Sequence, residues 1–173
     1  MMQPLEPPDT HYLSAAIGWL ELGSLAEAKA ELGRISGAQQ DHPGVLEVRW
    51  TICAEEKNWE EGLEVAGALV KAAPERASGW ILRAYALRRV RNGGLHQAWE
   101  ALLPAFDRFP REALIPFNLS CYACQMQQLE PARSWLRRAA EIGGQEKIRQ
   151  MALHEPDLEP LWDEIRQWGG LKP

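Results

Sequence analysis

The stretch Trp80 to Pro110, WILRAYALRRVRNGGLHQAWEALLPAFDRFP, decides the fold. Trp80, Ala84 and Leu87 fall on one face of a first predicted helix, and Leu95, Ala98, Trp99, Leu102 and Phe106 recur at helical spacing in a second. Asn92, Gly93 and Gly94 break the chain between the two, and Pro110 closes the unit. Pro104 stands inside the second apolar stripe. It removes one backbone hydrogen bond and crowds the preceding turn, so a kink is expected there.

Working outward, the same helix-turn-helix grammar recurs on both sides. Upstream, Tyr12, Ala15, Ala16 and Trp19 share a helical face that Gly23 ends, and Leu25, Ala28, Leu32 and Ile35 follow in a second helix. Asp9 or Thr10 is expected to cap the first helix, and Ser24 with Glu27 has the spacing of a capping box for the second. Pro43 opens another pair marked by Leu46, Trp50 and Cys53, then by Trp59, Leu63, Ala66 and Leu69 after a second capping signal at Asn58 and Glu61. Downstream, Pro116 and Pro131 suit the first turns of two more helices, and Gly143 and Gly144 close them. The remainder, EKIRQMALHEPDLEPLWDEIRQW, predicts a short helix, a break at Glu155 and Pro156, and a last helix through Trp162 and Ile165 that covers the final pair.

Aligning the second helices exposes a register. Ala28, Gly62, Ala98 and Ala132 take one position and Leu32, Ala66, Leu102 and Leu136 the position four later, as expected where a small residue lets two helices approach closely. In the first helices Ala16, Ala84 and Ser120 supply the small residue, whereas Trp50 occupies that slot in the second pair. The closing residues Pro43, Pro74, Pro110 and Gly144 are 31, 36 and 34 positions apart.

A period near 34 with this pattern resembles the tetratricopeptide repeat, or TPR, over most of the chain from Asp9 to Gly144. The resemblance implies an all-α fold: a right-handed superhelical stack of about four helix pairs, near residues 9–42, 43–76, 77–111 and 112–144. An extended leader at 1–8 precedes it, and capping helices at 145–173 follow. It also implies that the first helices line a concave, peptide-binding groove. Carried over by register, the groove slots are Leu13 and Ile17, Glu47 and Thr51, Ile81 and Tyr85 with Arg88, and Phe117 and Cys121 with Asn118 and Gln125. These slots lack the successive lysines and asparagines with which some members of the family clamp a terminal carboxylate, so an apolar segment of a protein partner is the expected ligand. The chain's own leader or tail, or a second copy, would also fit. If Arg88 and Arg89 border the groove, they favour acidic residues beside that segment.

Composition narrows the function further. A chain of 173 residues with net charge -5 lacks the clustered positive charge of a nucleic-acid surface, so no nucleic-acid partner is expected. No apolar run reaches the roughly 20 residues that span a bilayer, and the N-terminus has no secretory signal pattern, so membrane insertion is not expected and the cytoplasm is the expected location. Eight tryptophans read as wedges between helices.

No nucleophile elbow or phosphate-binding glycine loop is present, and the one thiol pair of suggestive spacing, Cys121 and Cys124, falls mid-helix without further ligands, so neither catalytic residues nor a cofactor or metal is expected. His11, His42, His96 and His154 fall near helix starts and connections, as caps or surface groups. The reading is therefore a non-enzymatic scaffold or adaptor binding a protein or peptide, with self-association possible. A small client-holding chaperone is the related alternative. A thiol-dependent metal or redox protein built on Cys121 and Cys124 is the alternative of a different class.

Overall fold

The turns explain the architecture. In the computed structural model, which describes residues 4–168, α1 (Asp9–Glu21) and α2 (Leu25–Arg34) are joined at Gly23, whose φ of 75° lies in the left-handed region. Its N–H donates to the carbonyl of Leu20, and the next N–H, of Ser24, reaches back to Trp19 at 2.8 Å. This paired bond ends a helix and turns the chain sharply. It recurs between α3 (Pro43–Glu55) and α4 (Trp59–Ala72), where Lys57 N–H donates to Ala54 and Asn58 N–H to Cys53. It recurs again between α7 (Leu114–Gln125) and α8 (Leu129–Gly143), through Gln127 and Gln128. Lys57 and Gln127 hold φ near 60° without being glycine, a conformation with a steric cost for any side chain. The connection after α5 (Ala77–Leu87) is longer: Val90 N–H still donates helically to Ala86, and α6 (Leu95–Arg108) starts after Gly94.

That longer connection is also where the chain divides. Two compact units result, Met1–Val90 and Arg91–Pro173, so the boundary falls inside the stretch that the sequence groups as one repeat. In the first unit α1 packs on α2, α3 on α4, and α4 on α5, while α1 also touches α3. In the second, α7 packs on both α6 and α8, and α9 (Gln145–Leu153), a 3-10 segment at Pro156–Leu161 and α10 (Trp162–Arg166) close the end. The described residues form helices, turns and short 3-10 segments, an all-α helical repeat. The expected leader and cap extend to 1–3 and 169–173, which lie outside the described residues.

Small residues sit where helices meet. Ala16, Ala28, Ala84, Ala98 and Ala132 are fully buried, and Ser120 Oγ donates to the carbonyl of Ala132 at 2.8 Å, tying α7 to α8 at the contact slot. Trp50, the departure in that register, is accommodated from across the pair. Gly62 lies opposite, and a methyl added there would stand 3.7 Å from the indole Nε1 and 3.6 Å from Cys53 Cβ. The large residue on α3 and the absent side chain on α4 are one packing solution.

The capping expectations divide. Asn58 accepts from the N–H of Glu61 and donates to its carboxylate at 2.7 Å, closing the α4 start as expected. Ser24 stands at the N-cap of α2, but its hydroxyl makes no capping bond. Asp9 does not cap α1 either. It is already the first residue of the helix, and its carboxylate accepts from the N–H and hydroxyl of Ser36, linking the start of α1 to the end of α2. Those two bonds hold the Asp9 carboxyl below its ordinary range. Finally, α6 runs helically through Pro104, which is exposed beside exposed Leu103, so water can satisfy the carbonyl that loses its partner.

Candidate interaction surface

The candidate slots are positions on α1, α3, α5 and α7 spaced four residues apart, and the structure treats them differently in the two units. In the first unit Leu13 is half-buried against α3: a methyl added at Gly44 would stand 3.3 Å from Leu13 Cδ2. The beginnings of α1 and α3 therefore lie side by side. One turn on, Ile17 is 42% exposed, an aliphatic side chain facing solvent. Thr51 is exposed with its hydroxyl turned back onto the carbonyl of Glu47, which leaves its methyl outward. Glu47 accepts from Ser78 Oγ at 2.8 Å and has Arg76 at 3.9 Å, so it braces α3 against the start of α5.

On α5 the slots are packed more tightly than on α1. Ile81 and Arg88 are half-buried, but Tyr85 is not a free contact residue. Its ring meets Trp50 edge-on at 5.7 Å and Trp59 at 5.9 Å, and the Arg89 guanidinium lies 3.6 Å above it while donating to its carbonyl. An aromatic ring between two others with a cation on its face is packing, worth more to the fold than to a ligand. Arg89 is engaged by the same stack, so it is poorly placed to select acidic residues on a partner.

In the second unit two of the four slots are closed, while Asn118 is half-buried and Gln125 exposed. Phe117 and Cys121 are buried, 6% and 3% exposed, on a helix packed by α6, α8 and the chain's own Pro156–Leu161 segment. Gln125, the next residue of that stripe, donates from Nε2 to the carbonyl of Asp157 at 3.0 Å. Asn118 turns its amide to the carbonyl of Leu114 in its own helix. Leu158 and Leu161 anchor the segment, both essentially without exposure. It is further held by α10, where Arg133 of α8 grips Glu164 through Nε at 2.7 Å and Nη2 at 2.5 Å and also bonds Glu130, and Trp162 donates to the carbonyl of Ala152. Those bonds keep the Glu164 carboxyl below its ordinary range.

Burial disfavours the thiolate at two of the three cysteines. Cys53, Cys121 and Cys124 are all buried. Burial, followed by the nearby Glu61 and Glu56, pushes Cys53 up to about 11. Burial and the neighbouring Asp157 also raise Cys124. A nucleophilic or metal-binding thiol needs the opposite environment, one that favours the thiolate. Among the described residues, no group of three or more His, Cys, Asp or Glu converges on these sulfurs or elsewhere. The geometry therefore gives the redox and metal alternative no support. His42 is the N-cap of α3 and accepts the Gly44 N–H at Nδ1, which requires a neutral ring, and burial with nearby Arg76 lowers its pKa accordingly.

No protein-family model matches the chain, and no curated relative is found. Solved structures do match. The crystal structure of TTC0263, a thermophilic TPR protein of Thermus thermophilus, aligns with 94% of this chain and 97% of its own at a TM-score of 0.64 and 16% identity. This is a TPR-like fold. The RS-1 MamA ArsTM double mutant matches at 0.65 and 19% identity over 80% of this chain and 77% of its own, and MSR-1 MamA C2 at 0.60 and 15% identity over 95% and 98%. At such identities the likeness concerns the fold. The TPR register also shows what the sequence reading missed. Glu21 and Glu55 continue the stripes of Leu13 and Ile17 and of Glu47 and Thr51 by one further turn, and a four-residue count from either slot reaches them.

Proposed function

We propose that the chain is a non-enzymatic, cytoplasmic interaction scaffold that binds a segment of a protein partner on the first unit, along the stripe of Leu13, Ile17 and Thr51 with Ile81 beside it. One observation carries this reading. On α7, where the chain's own segment packs, Phe117 and Cys121 of this register are buried, yet on α1 and α3 it presents Ile17 and Thr51 to solvent. A helical stack with preformed, side-by-side contact residues loses little freedom on binding, which favours recognition of extended or helical segments. No helix among the described residues is long and apolar enough to cross a membrane.

The test is affinity capture from native extract with wild-type protein and with Ile17→Glu, which places a charge on the open stripe without disturbing a buried side chain. A partner retained by wild type and lost by the variant supports the site. A partner set unchanged by Ile17→Glu moves the binding surface elsewhere.

A further inference from the structure

The open stripe ends in charge. Four residues beyond Ile17 stands Glu21, the last residue of α1, and four beyond Thr51 stands Glu55, the last residue of α3. Both are exposed, and neither α1 nor α3 carries a basic residue in its last turn. The C-terminal end of a helix already bears partial negative charge, which basic side chains usually offset. In α2, α4 and α6 they do so, through Arg34, Lys71 and Arg108, whereas α5, α7, α8 and α9 lack one as α1 and α3 do; α1 and α3 differ from those four in ending on an exposed glutamate. Glu56, one residue past Glu55, is neutralised by Lys29 at 2.6 Å. Glu21 and Glu55 have no such ion pair among the described residues.

α1 packs on α3 with their beginnings side by side, and each helix ends on an exposed glutamate, so we infer that the two carboxylates and two negative helix termini share one end of the exposed Ile17 and Thr51 surface. Half-buried Leu13 and Leu20 flank Ile17. The combination is an apolar floor with an uncompensated acidic end.

Resting on the scaffold reading, we infer that this face docks a basic amphipathic segment: an aliphatic side chain seats against Ile17 and the Thr51 methyl, and a lysine or arginine about one helical turn away meets Glu21 and Glu55. This reverses the charge expected from Arg88 and Arg89. Arg89 is committed to the Tyr85 stack, whereas the two glutamates face solvent. Complementary charge sets partner choice and encounter rate, and the aliphatic contact sets residence.

The test uses the full chain and a labelled synthetic 14-residue helical peptide of leucine and lysine, with its leucine and glutamate counterpart, followed by fluorescence anisotropy at two salt concentrations. Three variants are compared: Ile17→Ser, Glu21→Gln/Glu55→Gln, and Glu27→Gln/Glu64→Gln, which removes the same net charge from exposed positions on α2 and α4. The lysine peptide should bind, the rim variant and Ile17→Ser should each weaken it by about tenfold, and the control pair by less than about twofold, with a shallower salt dependence for the rim variant. Equal weakening by the rim and control pairs would reduce the effect to net charge and overturn the inference. So would equal affinity for the glutamate peptide, or no saturable binding. If Ile17→Ser abolishes capture of a native partner while the rim variant holds it as wild type does, the scaffold reading stands and the basic-partner inference fails. If Ile17→Ser retains every partner, the scaffold reading itself fails.

Discussion

On α7, against which the chain's own Pro156–Leu161 segment packs, Phe117 and Cys121 are buried and exposed Gln125 bonds the segment at Asp157, whereas the corresponding slots on α1 and α3 present Ile17, Thr51, Glu21 and Glu55 to solvent. The repeat is the same and the helix pairs close with the same turn bonds, so the backbone does not account for the difference. Side-chain chemistry does. Where the stripe is aromatic and sulfur-bearing it is costly to leave wet, and the tail covers it. Where it mixes one isoleucine with threonine and glutamate it is tolerable in water, and it stays available. A stack of this kind thus carries one stripe as core and another as surface.

The comparison breaks most visibly at Leu158. It is fully buried, so Leu158→Ala should cost about 2–5 kcal/mol in a denaturant titration, while Ile17→Ala on the open stripe should stay within about 0.5 kcal/mol. Similar costs for the two would mean that the tail is not seated on α7 as described. Next in size is Tyr85→Ala. The sequence reading, which placed Tyr85 in the groove, expects an unchanged melt. The stack with Trp50, Trp59 and Arg89 instead requires a loss of about 1–3 kcal/mol, read by thermal unfolding. A melt identical to wild type would return Tyr85 to the open surface.

These two residues show how far sequence carries. Periodicity, small residues at contact slots and glycine or proline at the closures are local signals, and they made the helices and the repeat legible. Which copy of a slot is wet depends on contacts remote in sequence. Nothing near Phe117 announces that Leu158 will lie with its segment on the same helix, and nothing near Tyr85 announces that Trp59 and Arg89 will enclose it. Trp50 is intermediate. The departure is visible in the alignment, and Gly62 stands in the matching column, but only the structure shows that the two compensate.

Two smaller effects sharpen the contrast. The tail's grip on α8 includes Glu164, whose carboxyl is held below its ordinary range by Arg133, so this contribution is complete above the usual carboxylate range and fades as pH falls through the lowered value. His42 acts in the same direction in the first unit. Its folded pKa is depressed below that of an unfolded histidine, so its contribution is complete above about 6.5 and is lost as pH drops further. Unfolding midpoints measured from pH 7.5 down to about 2.5 should fall first through the His42 step, abolished by His42→Asn, and then, below the ordinary carboxylate range, through the Glu164 step, abolished by Glu164→Gln. Loss of either step on the wrong substitution would contradict the assignment. Smallest of all, Gln127→Gly should raise stability by about 0.5 kcal/mol, because glycine adopts the left-handed turn without the side chain's steric cost and offsets that gain only partly in chain entropy. A destabilised Gln127→Gly protein would mean that the Gln127 side chain contributes to the turn.

The most direct test of the open and covered stripes is thiol labelling of the native protein. In a background where Cys53 and Cys124 are serine, the labelling rate of native Cys121 is compared with that of Cys introduced by Ile17→Cys in a chain that also lacks Cys121. The account predicts rapid labelling at position 17, close to that of an unfolded thiol, and a rate at Cys121 lower by about a hundredfold or more, set by opening of the tail and restored toward the fast rate by Leu158→Ala. Comparable rates at the two positions in the folded protein would contradict it.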